Sequence, residues 1–223
     1  MLERFLDIKA ILFDLDGTLF RTDPELSDAI NLMLTDLKMP ILEKDKIKNF
    51  IGKGVKNLIN ESLKAASKKD LSVFSKKAEK LFIHHYSAIA GNSQMYDGVE
   101  NTINYFKSQG ILLGCVTNKP EIFTSNLMIQ SGLSEFFDVI VSGDTTDRKK
   151  PDPLPIQYAL DLIKIRPKNT IMVGDSCVDI EAGFAAGTYV VTVPYGYQYQ
   201  EPIVSDKVDY VLSNFNELTK IIN

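Results

Sequence analysis

The sequence predicts an α/β fold, a doubly wound parallel sheet with an all-helical block inserted near its start. Three observations carry this. The apolar runs Ala10-Ile11-Leu12-Phe13 and Ile171-Met172-Val173 do not alternate, and so read as strands buried on both faces, as in a parallel sheet. From Gly98 onward, helix-like and strand-like segments take turns, the pattern of a sheet with helices packed on it. Residues 21–92 contain no convincing strand, and a block of about seventy residues is far longer than an ordinary connection within a domain. The expected organisation is a core of residues 1–20 and 93–223 and a helical insert at 21–92.

The first strand runs straight into Asp14-Leu15-Asp16-Gly17-Thr18-Leu19. Asp14 and Asp16 thus fall at a strand's carboxyl end, where open α/β sheets place their ligands. Residues two apart on a strand share a face, and two like charges there need a cation or a shared proton. An Asp-Gly turn would account for one of the two acids, but not both. Next, Asp23-Pro24-Glu25 reads as a helix start, with Asp23 as N-cap and Pro24 at the first helical position. Leu26, Ala29, Ile30, Met33, Leu34 and Leu37 follow at helical spacing. Further helices are expected at 43–50, 55–66 and 71–89. The alternating part predicts helices at 98–108, 121–131, 154–165, 179–186 and 215–222, and strands at 111–117, 137–142, 170–174, 189–193 and 208–212. Gly110, Gly132 and Gly187 stand where helices should end.

Composition narrows the function classes. The chain has 223 residues, 44% of them hydrophobic, enough for a sizeable core. A net charge of -4 offers no basic field for nucleic acid. No apolar run reaches membrane-spanning length, and the start Met-Leu-Glu-Arg-Phe-Leu-Asp lacks a signal-peptide profile, so a cytoplasmic protein is expected. Cys115 and Cys177 belong to no Cys/His cluster and are expected to be buried free thiols. His84 and His85 lie inside the helical block with no cysteine or third histidine, which does not make a zinc set.

Three later stretches carry chemistry. Thr117-Asn118 ends a strand just before a helix, whose free N–H groups favour anions, although Thr-Asn is also an ordinary helix cap. Arg148-Lys149-Lys150-Pro151-Asp152-Pro153 sets cations in a loop whose backbone is stiffened by proline. Gly174-Asp175-Ser176-Cys177-Val178-Asp179 repeats the opening arrangement, a buried strand ending in a carboxylate, with Asp179 either a helix N-cap, a functional acid, or both. Hard oxygen ligands in this number suit Mg²⁺.

In chain order, the segments at Asp14–Leu19, Thr117-Asn118, Lys150-Pro151 and Gly174–Asp179 resemble the four motifs of the haloacid dehalogenase-like hydrolase superfamily, and the likeness covers nearly the whole chain. Within it, the chain is similar to the bacterial phosphoglycolate phosphatases. That likeness rests on Ile51-Gly52-Lys53-Gly54-Val55, the loop from Arg148 to Pro153, Pro194-Tyr195-Gly196-Tyr197 and Glu201-Pro202-Ile203. Arg21-Thr22 and Cys177-Val178 depart from that pattern. The resemblance implies a Rossmann-like core whose first strand is central, so that Asp14 and Asp175 converge under a helical cap.

It also implies an Mg²⁺-dependent phosphatase for a small phosphomonoester such as 2-phosphoglycolate, with no nucleic-acid or membrane partner, working as a monomer or homodimer. Asp14 would be the nucleophile that forms an aspartyl-phosphate, and Asp16 the general acid and then base. Mg²⁺ would be held by Asp14, the backbone carbonyl of Asp16 and Asp175, with Asp179 acting through water. Thr117, Asn118 and Lys150 would hold phosphoryl oxygens. Gly52, Lys53 and Gly54 would either read the rest of the substrate or form a turn between helices. Sugar-phosphate phosphatases and mutases of the same superfamily share Asp14 and Asp16 in the same roles. A receiver-like phosphate-binding module would need neither Asp16 nor a cap.

Overall fold

The computed structural model describes residues 5–67, 75–91, 93–197 and 206–222. The chain runs through β1 (Ala10–Phe13), a short β2 (Phe20–Arg21) and four helices, α1 (Asp23–Asp36), α2 (Lys44–Lys48), α3 (Val55–Ala66) and α4 (Ser75–Ile89). Then come β3 (Gln94–Met95), α5 (Val99–Ser108), β4 (Leu112–Val116), α6 (Glu121–Gln130) and β5 (Val139–Val141). The chain closes with α7 (Leu154–Ile163), β6 (Thr170–Gly174), α8 (Cys177–Ala186), β7 (Tyr189–Thr192), β8 (Tyr210–Val211) and α9 (Leu218–Ile221).

The main sheet is parallel, in the order β5-β4-β1-β6-β7-β8. β1 sits at the switch point, with β4 on one side and β6 on the other, which opens a crevice at the carboxyl ends of the strands. Register aligns those ends: Phe13 lies opposite Cys115 on β4 and Val173 on β6. The unalternating apolar run of β1 has a direct cause. Ile11 and Phe13 face a core shared with Ile103, Phe106 and Phe215, while Leu12 faces a second one built with Ile156, Leu160, Met172 and Ala182.

Helices α1 to α4 have a core of their own, including Ile30, Met33, Leu58, Leu63, Phe82 and Tyr86, and this layer meets the sheet domain through Phe123 and Tyr197. The sequence expectation of no strand over 21–92 misses Arg21, which with Phe20 forms a short antiparallel pair with β3. The two crossings between layers are thereby tied side by side. The helix expected at 43–50 is shorter, and the first residues of the one expected at 71–89 lie outside the described residues. The closing helix expected at 215–222 divides into a 3₁₀ turn and the short α9.

Helix starts also differ from expectation. Asp23 is the first residue of α1 rather than its N-cap; Thr22 holds that position and its side chain makes no capping bond. The missing acceptor comes from far along the chain: the Tyr197 hydroxyl accepts from Thr22 N at 2.5 Å and Asp23 N at 3.1 Å. The N-cap of α8 is Ser176, not Asp179, and the two close a reciprocal capping box. Cys115 is buried as expected, whereas Cys177, at the first turn of α8, is exposed.

Removing the Tyr197 hydroxyl leaves two backbone N–H groups at the start of α1 without an acceptor. Tyr197→Phe is therefore expected to cost about 1–3 kcal/mol of stability, measured by urea unfolding. A cost below about 0.3 kcal/mol would show that water serves those groups as well.

Candidate active site

Three buried carboxylates meet at the carboxyl edge of the sheet. Asp14 follows β1, Asp175 follows β6, and Asp179 projects from the first turn of α8; one oxygen of each lies within 4.8 Å of the others. Lys150 enters from the loop before α7 and donates to Asp14 Oδ1 and Asp179 Oδ1 at 2.7 Å each, and to the carbonyl of Val116 at 2.5 Å. Asp175 accepts from Thr18 Oγ1 at 3.2 Å and from the Tyr197 amide at 2.8 Å. Asp179 Oδ2 accepts from the Ser176 hydroxyl at 2.6 Å and its amide at 3.1 Å. Two glycines at positive φ, Gly17 and Gly196, press against the Asp175 carboxylate, and a Cβ on either would overlap it.

The electrostatics follow from burial. Loss of water pushes the Asp14 carboxyl up to about 7, against the pull of Lys150 and with the Asp179 charge adding to the rise. Burial, then the charges of Asp179 and Asp14, also hold Asp175 well above the usual carboxylate range. Burial alone would lower the Lys150 ammonium, but Asp14 and Asp179 outweigh it and hold it above its ordinary value. If all three acids ionise against one ammonium, two negative charges remain, which is the charge of one divalent cation. An all-oxygen, partly hydrogen-bonded donor set of this kind fits a hard dication such as Mg²⁺.

Asp16 stands apart from this trio. β1 ends at Phe13, yet Asp14 and Asp16 both line one cleft, and each acid has its own lysine. The Lys119 ammonium lies 3.0 and 3.3 Å from the two Asp16 oxygens and donates to the Tyr86 hydroxyl of α4 at 2.6 Å. Burial works against the Lys119 charge, yet Asp16 and Tyr86 hold its pKa above the ordinary value. Burial pushes the Tyr86 hydroxyl up to about 12, so it stays neutral at physiological pH.

The cleft lies between the sheet and the helical layer. Asp14, Asp16, Thr117, Asn118 and Lys119 form one wall; Leu26, Ile51, Gly52, Gly54, Val55 and Leu58 form the other. It leaves about 30 Å³ for the centres of water molecules, against roughly 10–15 Å³ for one. Gly52 and Gly54 border it, whereas Lys53 between them is exposed and is not part of its lining. Asn118 has both amide hydrogens engaged, on Gly52 O at 3.0 Å and Lys150 O at 2.8 Å, so it ties the glycine loop to the lysine loop rather than offering a donor to the cleft. Thr117 is buried at the cleft, and its hydroxyl accepts from the Lys119 amide at 3.2 Å.

Sequence reasoning missed Lys119 and Tyr86. The lysine stood directly after Thr117-Asn118, and a cation in that place was the available signal; nothing in the helical periodicity of α4 marked Tyr86. The Tyr195–Tyr197 stretch packs against the sheet domain and the helical layer. Tyr195 stacks on Tyr96 at 4.1 Å, while Tyr199 and residues 201–203 lie outside the described residues.

Residues 11–193 match the model of the haloacid dehalogenase-like hydrolases. The chain belongs to that family. Among relatives of this hydrolase, a phosphoglycolate phosphatase from Nitrosospira multiformis is 37% identical over 97% of this chain and 96% of its own. The crystal structure of a predicted phosphoglycolate phosphatase from Haemophilus somnus 129PT superposes with a TM-score of 0.91 at 32% identity, covering 96% of this chain and 98% of that one. CbbY from Rhodobacter sphaeroides, in complex with xylulose-(1,5)bisphosphate, superposes with a TM-score of 0.82 at 25% identity, covering 95% and 96%. Among the described residues, no helix of the hydrolase is long and apolar enough to cross a membrane.

Because the folded Asp14 carboxyl titrates near 7 instead of 3.8, its contribution to stability is present below pH 3.8 and lost as pH rises through about 7. Melting temperature in a chelator should therefore fall between pH 5 and about 8. Mg²⁺ should restore it, by about 2.7 kcal/mol at a hundred times its Kd, and more at the upper end of the range than at the lower. A Mg²⁺ effect equal at both ends would detach the ion from these acids.

Proposed function

We propose that this hydrolase is an Mg²⁺-dependent phosphatase that cleaves a small phosphomonoester, 2-phosphoglycolate first among them, to the alcohol and phosphate. The observation that carries the reading is the pairing of two separate acid–lysine sets across one small cleft: Asp14 with Lys150, and Asp16 with Lys119. The names of the relatives support the choice of substrate.

Asp14 attacks phosphorus in line. One Asp14 oxygen–phosphorus bond forms as the bond from phosphorus to the alcohol oxygen breaks, and Asp16 gives its proton to that departing oxygen. Asp16 then takes a proton from water, which attacks the aspartyl-phosphate, releases phosphate and regenerates Asp14. Lys150 and Thr117 hold the phosphoryl oxygens, so that positive charge faces the atoms where negative charge grows. Asp14, Asp175 and the backbone carbonyl of Asp16 would hold Mg²⁺, with Asp179 acting through water. When bound, the ion would supply positive charge that keeps Asp14 ionised and offsets the repulsion between its carboxylate and the phosphoryl oxygens.

Residues 21–92 serve as a cap over a core of residues 1–20 and 93–223. Support comes from the separate hydrophobic core of the helices and from the bond between Asn118 and Gly52 at their edge. In this reading Gly52 and Gly54 let backbone approach the substrate, and Asn118 keeps their loop in place, while Lys53 faces solvent.

Phosphate release from a panel of 2-phosphoglycolate, xylulose-1,5-bisphosphate, sugar 1-phosphates and nucleotides, with and without Mg²⁺, tests the proposal. The highest kcat/KM is expected on 2-phosphoglycolate and only with the ion; a higher value on the bisphosphate would move the hydrolase toward CbbY-like chemistry. Asp14→Asn should abolish turnover, and Asp16→Asn should lower it by about 10²–10⁴-fold.

A further inference from the structure

Lys119 is a buried cation that the proposed chemistry leaves without a task. Its ammonium does not touch the trio of Asp14, Asp175 and Asp179, which is served by Lys150. It reaches instead to both oxygens of Asp16, at 3.0 and 3.3 Å. Asp16 lies beyond the end of β1, where its backbone makes an isolated bridge to Phe20, and Lys119 supplies the ion pair to its carboxyl.

The lysine is itself held from the other layer. Tyr86 on α4 accepts its hydrogen bond at 2.6 Å, and the ammonium lies 4.9 Å from the centre of the Tyr86 ring. Tyr86 is wedged in turn, stacked on Phe82 at 5.4 Å and edge-on to Phe123 of α6 at 4.7 Å. A rigid aromatic from the helical layer thus sets where the ammonium sits, and the ammonium sets where the Asp16 carboxyl sits.

We propose that Lys119 is a positioning residue for Asp16, and that Tyr86 carries its anchorage from the helical layer, so that the proton donor is in place only while that layer is docked. The proposal rests on the reading of Asp16 as proton donor given above. In kcat/KM, which reports the first phosphoryl transfer, it predicts a loss confined to substrates whose departing oxygen must receive a proton, because Asp14 and Lys150 remain untouched.

Leaving-group dependence separates this from a merely structural role. An alkoxide needs a proton as it leaves, whereas p-nitrophenolate does not. Lys119→Met should lower kcat/KM on 2-phosphoglycolate and on ethyl phosphate alike, by about 10²-fold. On p-nitrophenyl phosphate the loss should be at least about ten times smaller. Tyr86→Phe, which keeps the ring and removes the hydroxyl, should show the same ordering with a smaller loss, and serves if the lysine variant does not fold. Equal losses on all three substrates would overturn the proposal, as would a loss restricted to 2-phosphoglycolate, which would make the ammonium a partner of the substrate carboxylate. Asp16→Asn in the same assays keeps the two readings apart. If it spares the alkyl substrates, the reading of Asp16 fails; if it does not and Lys119→Met does, only the positioning role fails.

Discussion

An ammonium held between two buried carboxylates is the interaction on which the rest of this structure depends. Lys150 ties Asp14 to Asp179 where the sheet ends, and Val116 gives it a third, backbone partner. Burying like charges side by side is costly, and one ammonium does not balance three acids. The fold meets the remainder with donors on every side: Thr18 and the Tyr197 amide on Asp175, and the hydroxyl and amide of Ser176 on Asp179. Burial lifts the Asp14 carboxyl to about 7 despite Lys150, and the neighbouring Asp179 charge adds to the rise.

The same residues that hold the acids also hold the layers together. Tyr197 fixes Asp175 through its backbone and the start of α1 through its hydroxyl, so acid placement and helix placement share one residue. Asn118 joins the glycine loop to the Lys150 backbone in the same way. Lys119 and Tyr86 form a third link, from α4 to Asp16. The helical layer is therefore joined to the acid-bearing edge of the sheet through short hydrogen-bonded chains, not through the two crossing segments alone.

The division of labour between the lysines has a physical logic. A nucleophile must be ionised, and a proton donor must be free to exchange its proton, so two carboxylates on one wall of a cleft cannot share one environment. Here Asp14 faces Lys150 and the other acids, while Asp16 faces a lysine braced by a tyrosine.

The sequence by itself determined the parallel sheet, its alternation with helices, the run of helices after β2, and Asp14 and Asp175 at the ends of two buried strands. Each of these is written in local pattern: unbroken apolar runs where strands are covered on both faces, helical spacing where one face is, and acids directly after strands. Only the tertiary structure decided which acid met which lysine, that Lys53 faced outward, that Asn118 spent its donors on backbone, and that a tyrosine near the end of the chain capped the first helix. Those contacts join residues far apart in the chain, such as Lys119 with Asp16 and Lys150 with Asp14. Periodicity reports which face of an element is buried, but it carries no information about which distant side chain will be waiting there.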